Sequence, residues 1–229
     1  MNDHARDLAS VRAATERLLS AVAELDNADV TEPSRLSGWS RGHVLAHLAR
    51  NADALVDVLA GRPMYASAEA RDADIERDAP RPLSTQLTDL RDSAARFQET
   101  GAAPADWSRT VELRNGVTDL AARVPFRRWI EVELHQVDLG IGYELEDLPE
   151  EFVERAVAFL ADRFAGHPEV PPTRITDGTR AWSTGRGSGG DAEVTVSGPA
   201  PNLLGWLSGR RSGAGLPTEG GPLPEPPPL

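Results

Sequence analysis

Apolar residues recur at three- and four-residue intervals along much of the chain, the spacing that lines one face of a helix. From Asp7 to Leu25 the stripe is Leu8, Val11, Ala14, Leu18, Leu19, Val22 and Leu25. The turn Leu36-Ser37-Gly38-Trp39-Ser40 precedes a second helix, capped by Ser40, in which Val44, Leu48, Leu55 and Leu59 carry the period to about Gly61. Leu87, Leu90, Ala94 and Phe97 predict a third helix from Leu83 to Glu99, and a fourth runs from about Pro125 to Tyr143. Residues 62–82 are rich in charge and proline and read as a long crossover loop, with room for a short helix at Glu69 to Arg77. A short hairpin fits Trp107 to Val117. A fifth helix, Pro149 to Phe164, has proline at its start and Gly166 just past its end.

After His167 the pattern changes. Thr173 to Thr176, Thr179 to Ser183 and Glu193 to Val196 have strand character, separated by Asp177-Gly178 and by a flexible turn from Gly185 to Gly190. A last helix, Pro199 to Ser208, precedes Gly209-Arg210-Arg211, and Pro222 to Leu229 form an extended Pro-rich tail. The expected fold class is mainly α with a small α+β part. Four long helices form a bundle within residues 1–166, and residues 167–229 form a small C-terminal α/β domain with its tail.

Composition narrows the function. With 40% hydrophobic and 26% charged residues the 229-residue chain can bury a core. Its net charge is −12, all of its basic residues are arginine, and no basic run is present, so nucleic acid and anionic membrane surfaces are poor partners. No apolar stretch approaches the roughly 18 residues that a membrane span needs, and Met1-Asn2-Asp3-His4 does not open a signal peptide. A cytoplasmic monomer is expected. There is no cysteine, so any sulfur chemistry has to arrive with a bound molecule.

The candidate chemistry lies on two helices. His47 sits about 60° from Val44 around the second helix, near its buried face, whereas His43 lies toward the polar side and is expected to be exposed. Glu131 and His135 are four residues apart on the fourth helix, with Asp138 on the next turn. Apolar bands flank this stripe, Ile130, Leu134, Val137 and Ile141 on one side and Val132 and Leu139 on the other. Polar groups set between such bands need partners. Two histidines and one glutamate from two facing helices make a three-ligand zinc set with an open fourth position. A Glu–His pair at this spacing is also common on helix surfaces, and the residue types alone leave that reading open. Arg210 follows a helix end, where a cation is ordinarily favourable. The glycine-rich segment lacks the spacing of a phosphate loop, and Ser40, Ser84 and Ser197 lack the setting of a nucleophile.

Several stretches, in order, resemble the mycothiol-dependent maleylpyruvate isomerase family: Gly38-Trp39-Ser40-Arg41-Gly42-His43-Val44-Leu45-Ala46-His47; Pro63-Met64-Tyr65 with Glu69-Ala70-Arg71; Glu131 through Gly140; Val196-Ser197-Gly198; and Gly209-Arg210 with Pro224-Glu225-Pro226-Pro227. The resemblance implies a DinB-like four-helix bundle, a small C-terminal α/β domain, and a divalent metal, normally zinc, held by His47, Glu131 and His135. It places the family's essential arginine on Arg210. It also implies dependence on mycothiol, a thiol of actinobacteria, and conversion of maleylpyruvate to fumarylpyruvate in aromatic catabolism through gentisate. The absence of cysteine agrees with a borrowed thiol. The implied route is thiolate addition to the cis double bond, rotation and elimination, with Arg210 binding a carboxylate of the dianionic 2-oxo acid or stabilising the enolate. Mycothiol S-transferases share the bundle and the His/Glu/His set, and a non-catalytic small-ligand-binding module with a structural metal is a further alternative.

Overall fold

In the computed structural model, which describes residues 3–186 and 192–228, the amphipathic stripes of the N-terminal part face one another. Helix α1 (Asp3–Val22) buries Leu8, Val11, Ala14, Leu18 and Val22. A short α2 (Asn27–Thr31) follows, and α3 (Arg41–Leu59) is buried around most of its circumference. Its alanines at 46, 49, 52 and 54 let neighbours come close. Helix α4 (Ala68–Asp78) leads to α5 (Leu83–Ala102), and α6 (Val124–Asp138) completes the set. α1 packs on α5 and α6, and α3 packs on the same two, so α1, α3, α5 and α6 close a four-helix bundle around one core.

Within residues 62–82 the short helix expected at Glu69 to Arg77 is present, one residue longer at each end. Most of this segment is the three-turn helix α4, which Ser67 caps by accepting a hydrogen bond from the Ala70 amide. Its buried residues are only Ile75 and Asp78, so it carries little apolar periodicity beside the bundle helices. Between α5 and α6, β1 (Thr110–Glu112) and β2 (Thr118–Leu120) pair antiparallel. Asn115 and Gly116 turn the hairpin at φ 60° and 70°, the left-handed region that such turns require. The second strand therefore lies beyond the expected end at Val117.

Where α3 begins, Gly42 faces α4 and α5. A methyl group there would overlap the Ala79 carbonyl oxygen and come within 2.9 Å of Val30 and 3.1 Å of Gln86. Backbone cannot yield as a side-chain tip does, so Gly42→Ala is expected to destabilise the protein by about 1–3 kcal/mol. Chemical denaturation checks this, read as a lower midpoint at unchanged slope.

The chain divides between Tyr143 and Glu144 into two units. The sequence-based boundary, after residue 166, assigned the fifth helix to the bundle. Instead α7 (Glu150–Arg163) packs on the C-terminal helix and sheet, burying Phe152, Val153, Val157 and Leu160. Strands β3 (Thr173–Thr176), β4 (Ala181–Thr184), β5 (Val194–Ser197) and β6 (Thr218–Glu219) form one sheet in the order β4-β3-β5-β6. β3 and β5 run parallel and the outer strands antiparallel to them. Helix α8 (Ala200–Leu207) packs on α7, and its Trp206 donates its ring N–H to the Pro224 carbonyl at 3.0 Å, fastening the tail. The expected glycine-rich turn falls mostly outside the described residues.

Candidate metal centre

Capping and periodicity together set the side chains of the centre. Ser40 starts α3 in a capping box in which the N3 residue is His43, whose Nδ1 accepts from the Ser40 amide at 3.2 Å. His43 Nε2 lies 3.3 Å from Glu76, and its side chain is 20% exposed. The expectation that His43 is exposed is thus corrected: this histidine starts the helix and reaches α4. One turn further on, His47 points inward toward α6, whose Glu131 and His135 share a face.

Glu131 Oε2 lies 3.0 Å from His47 Nε2 and 3.3 Å from His135 Nε2. One ligand atom from each of the three residues falls within 4.8 Å of the others. The two imidazole rings meet edge to face at 4.7 Å. The side chains of His47 and His135 are 7% and 13% exposed, while that of Glu131 is 33% exposed, so the cluster is walled by helices and open on the carboxylate side. His135 Nδ1 lies 2.8 Å from Asp138 Oδ2, and Asp138 is fully buried. A carboxylate can only accept, so Nδ1 carries a proton, and Nε2 faces Glu131 and the cluster.

The electrostatics differ between the two histidines. Burial pushes the His47 pKa down to about 4, leaving it neutral at pH 7. Burial works the same way on His135, but its hydrogen bonds to Asp138 and Glu131 outweigh it and raise the pKa. Burial disfavours the Glu131 carboxylate, yet hydrogen bonds from His135 and His47 hold it well below the ordinary range. One turn back on α6, Arg128 is 1% exposed and donates to Asn51 at 2.8 Å, with its Nη2 buried and without a hydrogen-bond partner. Burial lowers that guanidinium to about 10, and the attraction of Glu131 opposes the fall, so a buried cation backs the carboxylate.

On the side of α4, Arg71 reaches the cluster. Its Nη2 lies 3.3 Å from His47 Nδ1, its guanidinium sits 6.0 Å from the centre of the Tyr65 ring, and Nη1 donates to Asp72 at 2.6 Å. Burial raises the Tyr65 pKa, Glu131 adds to the rise and Arg71 opposes it. Tyr65 also lines a cavity of about 520 Å³ between the segment after α3 and the β1–β2 hairpin.

His47, Glu131 and His135, singled out from the sequence, therefore come together. Arg210 belongs to the other unit, just past α8, where its amide donates to the Gly205 carbonyl at 2.8 Å and its guanidinium to the Ser208 carbonyl at 2.9 Å. Sequence reasoning assigned no role to Arg128 or Arg71. An arginine pair, Arg127-Arg128, set between Phe126 and Trp129 and ending three residues before a candidate ligand, is the available sign of the first.

The bundle and its cluster define a helical protein with an acceptor set of two imidazoles and one carboxylate, and the comparisons give the family. The family model for the mycothiol maleylpyruvate isomerase N-terminal domain matches residues 11–140, and that for the MDMPI C-terminal domain matches residues 147–228. The chain belongs to the mycothiol maleylpyruvate isomerase family. It is similar to the crystal structure of a mycothiol-dependent maleylpyruvate isomerase, at 28% identity and TM-score 0.87 over 99% of this chain and 97% of that one. A variant of such an isomerase with a histidine replaced by alanine matches at 27% identity, TM-score 0.87 and the same coverage. No curated protein matches the chain. Among the described residues, no helix is long and apolar enough to cross a membrane.

Proposed function

We propose that this protein is a zinc- and mycothiol-dependent isomerase that converts maleylpyruvate to fumarylpyruvate, a step of aromatic catabolism through gentisate. The observation that carries the reading is the His47–Glu131–His135 cluster, with its ligand atoms within 4.8 Å, in a chain that matches both domains of the family. The donor set fits a divalent metal: two neutral-capable imidazoles, one carboxylate, and one open side. Bound there, a metal supplies the Lewis acidity that keeps a thiol ionised at neutral pH, and the thiolate supplies a nucleophile whose reversible addition frees the double bond to rotate.

The chain's own residues prepare that chemistry. Asp138 holds the proton on His135 Nδ1 and so leaves Nε2 to ligate. Glu131 contributes the anionic ligand, and Arg128 compensates its charge from the protein interior. The α3–α6 walls shield the two histidines from water. The substrate is a dianion and the protein carries −12, so local cations are needed, and Arg210 is assigned to a carboxylate or to the developing enolate.

The test combines elemental analysis with turnover of maleylpyruvate, with and without mycothiol, for the wild type, His47→Ala and Arg210→Lys. Stoichiometric zinc and thiol-dependent conversion are expected in the wild type, both lost in His47→Ala. Arg210→Lys should keep zinc and lose on the order of tenfold or more in turnover, because lysine lacks the bidentate fork. Zinc without conversion would redirect the search to S-transferase electrophiles, and a wild type without metal would overturn the reading.

A further inference from the structure

The hydrogen bonds of His47 conflict with its use as a ligand. Arg71 Nη2 lies 3.3 Å from His47 Nδ1, and a guanidinium has donors only, so Nδ1 accepts and the ring proton sits on Nε2, directed at Glu131 Oε2 3.0 Å away. A histidine that ligates through Nε2 carries its proton on Nδ1 instead. Arg71 would then face an N–H with its own N–H, two donors with nothing between them. His135 has no such conflict, since Asp138 already holds its proton on Nδ1.

We propose that Arg71 is a carboxylate-binding residue of this site: a metal on His47 Nε2 displaces its guanidinium from Nδ1, and the freed Nη2 takes a carboxylate of the anionic substrate beside Tyr65. This rests on the function proposed above. Three further observations support it. The Arg71 side chain is 13% exposed, at the inner side of α4 rather than in solvent. Among the described residues its one carboxylate partner is Asp72, its neighbour in sequence, 63% exposed and engaged through Nη1 alone. Such a pair holds weakly and leaves Nη2 available. The other guanidinium near Glu131, that of Arg128, is 1% exposed and out of reach of a ligand. Tyr65, whose ring centre lies 6.0 Å from the Arg71 guanidinium carbon, lines the cavity of about 520 Å³, so Arg71 is separated from open space by a single side chain.

The experiment uses zinc-loaded wild type, Arg71→Met and Arg71→Lys. Zinc affinity is measured by competition with a chromophoric chelator, and binding of succinate, a dicarboxylate with no double bond to isomerise, by calorimetry. Arg71→Met is expected to bind zinc several-fold more tightly, having lost the donor and the charge that compete at His47. It should bind succinate at least tenfold more weakly and show a tenfold higher KM for maleylpyruvate, with a smaller change in kcat. Arg71→Lys should fall between the two proteins in succinate binding, because it keeps the charge and loses the fork. If Arg71→Met does not fold, Arg71→Lys decides alone, by weaker succinate binding at undiminished zinc affinity. Unchanged succinate affinity and KM would overturn the assignment, as would loss of zinc from either folded variant, which would make Arg71 a support of His47. A wild type that takes up no zinc would instead sink the proposed function, a result separable from these.

Discussion

Glu131→Gln is expected to lose the metal and, with it, on the order of a thousandfold or more in turnover. Oε2 of this residue is the common partner of both histidines, at 3.0 and 3.3 Å. The amide keeps the shape and removes the charge, and an amide is a poor ligand for a divalent ion beside two imidazoles. Elemental analysis after dialysis, run beside the turnover assay, checks both losses at once. In chelator-treated protein the same change has a stability signature of definite sign. Glu131 titrates below its ordinary range in the folded protein, so its contribution is present above the unfolded-state pKa and is lost as pH falls through the folded one. Wild type and variant should therefore differ in thermal stability at neutral pH and converge in acid.

Glu133→Ala is expected to cost about 3–5 kcal/mol of stability without touching the cluster. The Glu133 carboxylate is fully buried and accepts from Arg17 at 2.5 Å, from the Trp129 ring N–H at 2.9 Å and from the Tyr143 hydroxyl at 2.9 Å. Arg17 is 41% exposed and can turn to water, but Trp129 is 3% exposed and cannot. The loss therefore falls mainly on the buried Trp129 ring N–H, less on the half-buried Tyr143 hydroxyl, and on the tie between α1 and α6. Thermal unfolding should show a fall on the order of 10 °C, with unchanged zinc per folded molecule.

The four bundle helices were readable because each carries an apolar stripe: Leu8, Val11, Ala14 and Leu18 in α1 are buried as their spacing demands. Helix α4 was legible only as a short helix within a loop, because its contacts are mostly ionic, and the brief α2, whose one buried residue is Val30, is too short to display a period. The domain boundary was misplaced for a related reason. A helix such as α7 shows in sequence that one face is buried, not what buries it, and α8 and β4 do so. In the site, Glu131, His135 and His47 stood out as polar residues among apolar ones. Glu133, Gln136 and Arg128 are buried as well, but on a helix enclosed around most of its surface polarity ceases to mark a face. His43 read as a surface residue because a histidine at the third position of a capping box leaves no pattern to find.

The ionic attachment of α4 has a consequence of its own. Asp78, 2% exposed, is gripped by Arg77, Arg81 and Arg50, and Glu76 meets His43, while Ile75 is the one apolar residue within the helix that is buried. Burying that isoleucine contributes about 1.5–3 kcal/mol, too little to hold three turns by itself. The helix is therefore expected to open as a unit ahead of the bundle, its more exposed ion pairs being screened over about 8 Å at physiological ionic strength. Arg71 rides on this helix. Salt concentration is then expected to act as a dial on local opening, with faster exchange of the α4 amides at high salt and the guanidinium nearest His47 leaving its place more often, as hydrogen exchange would show.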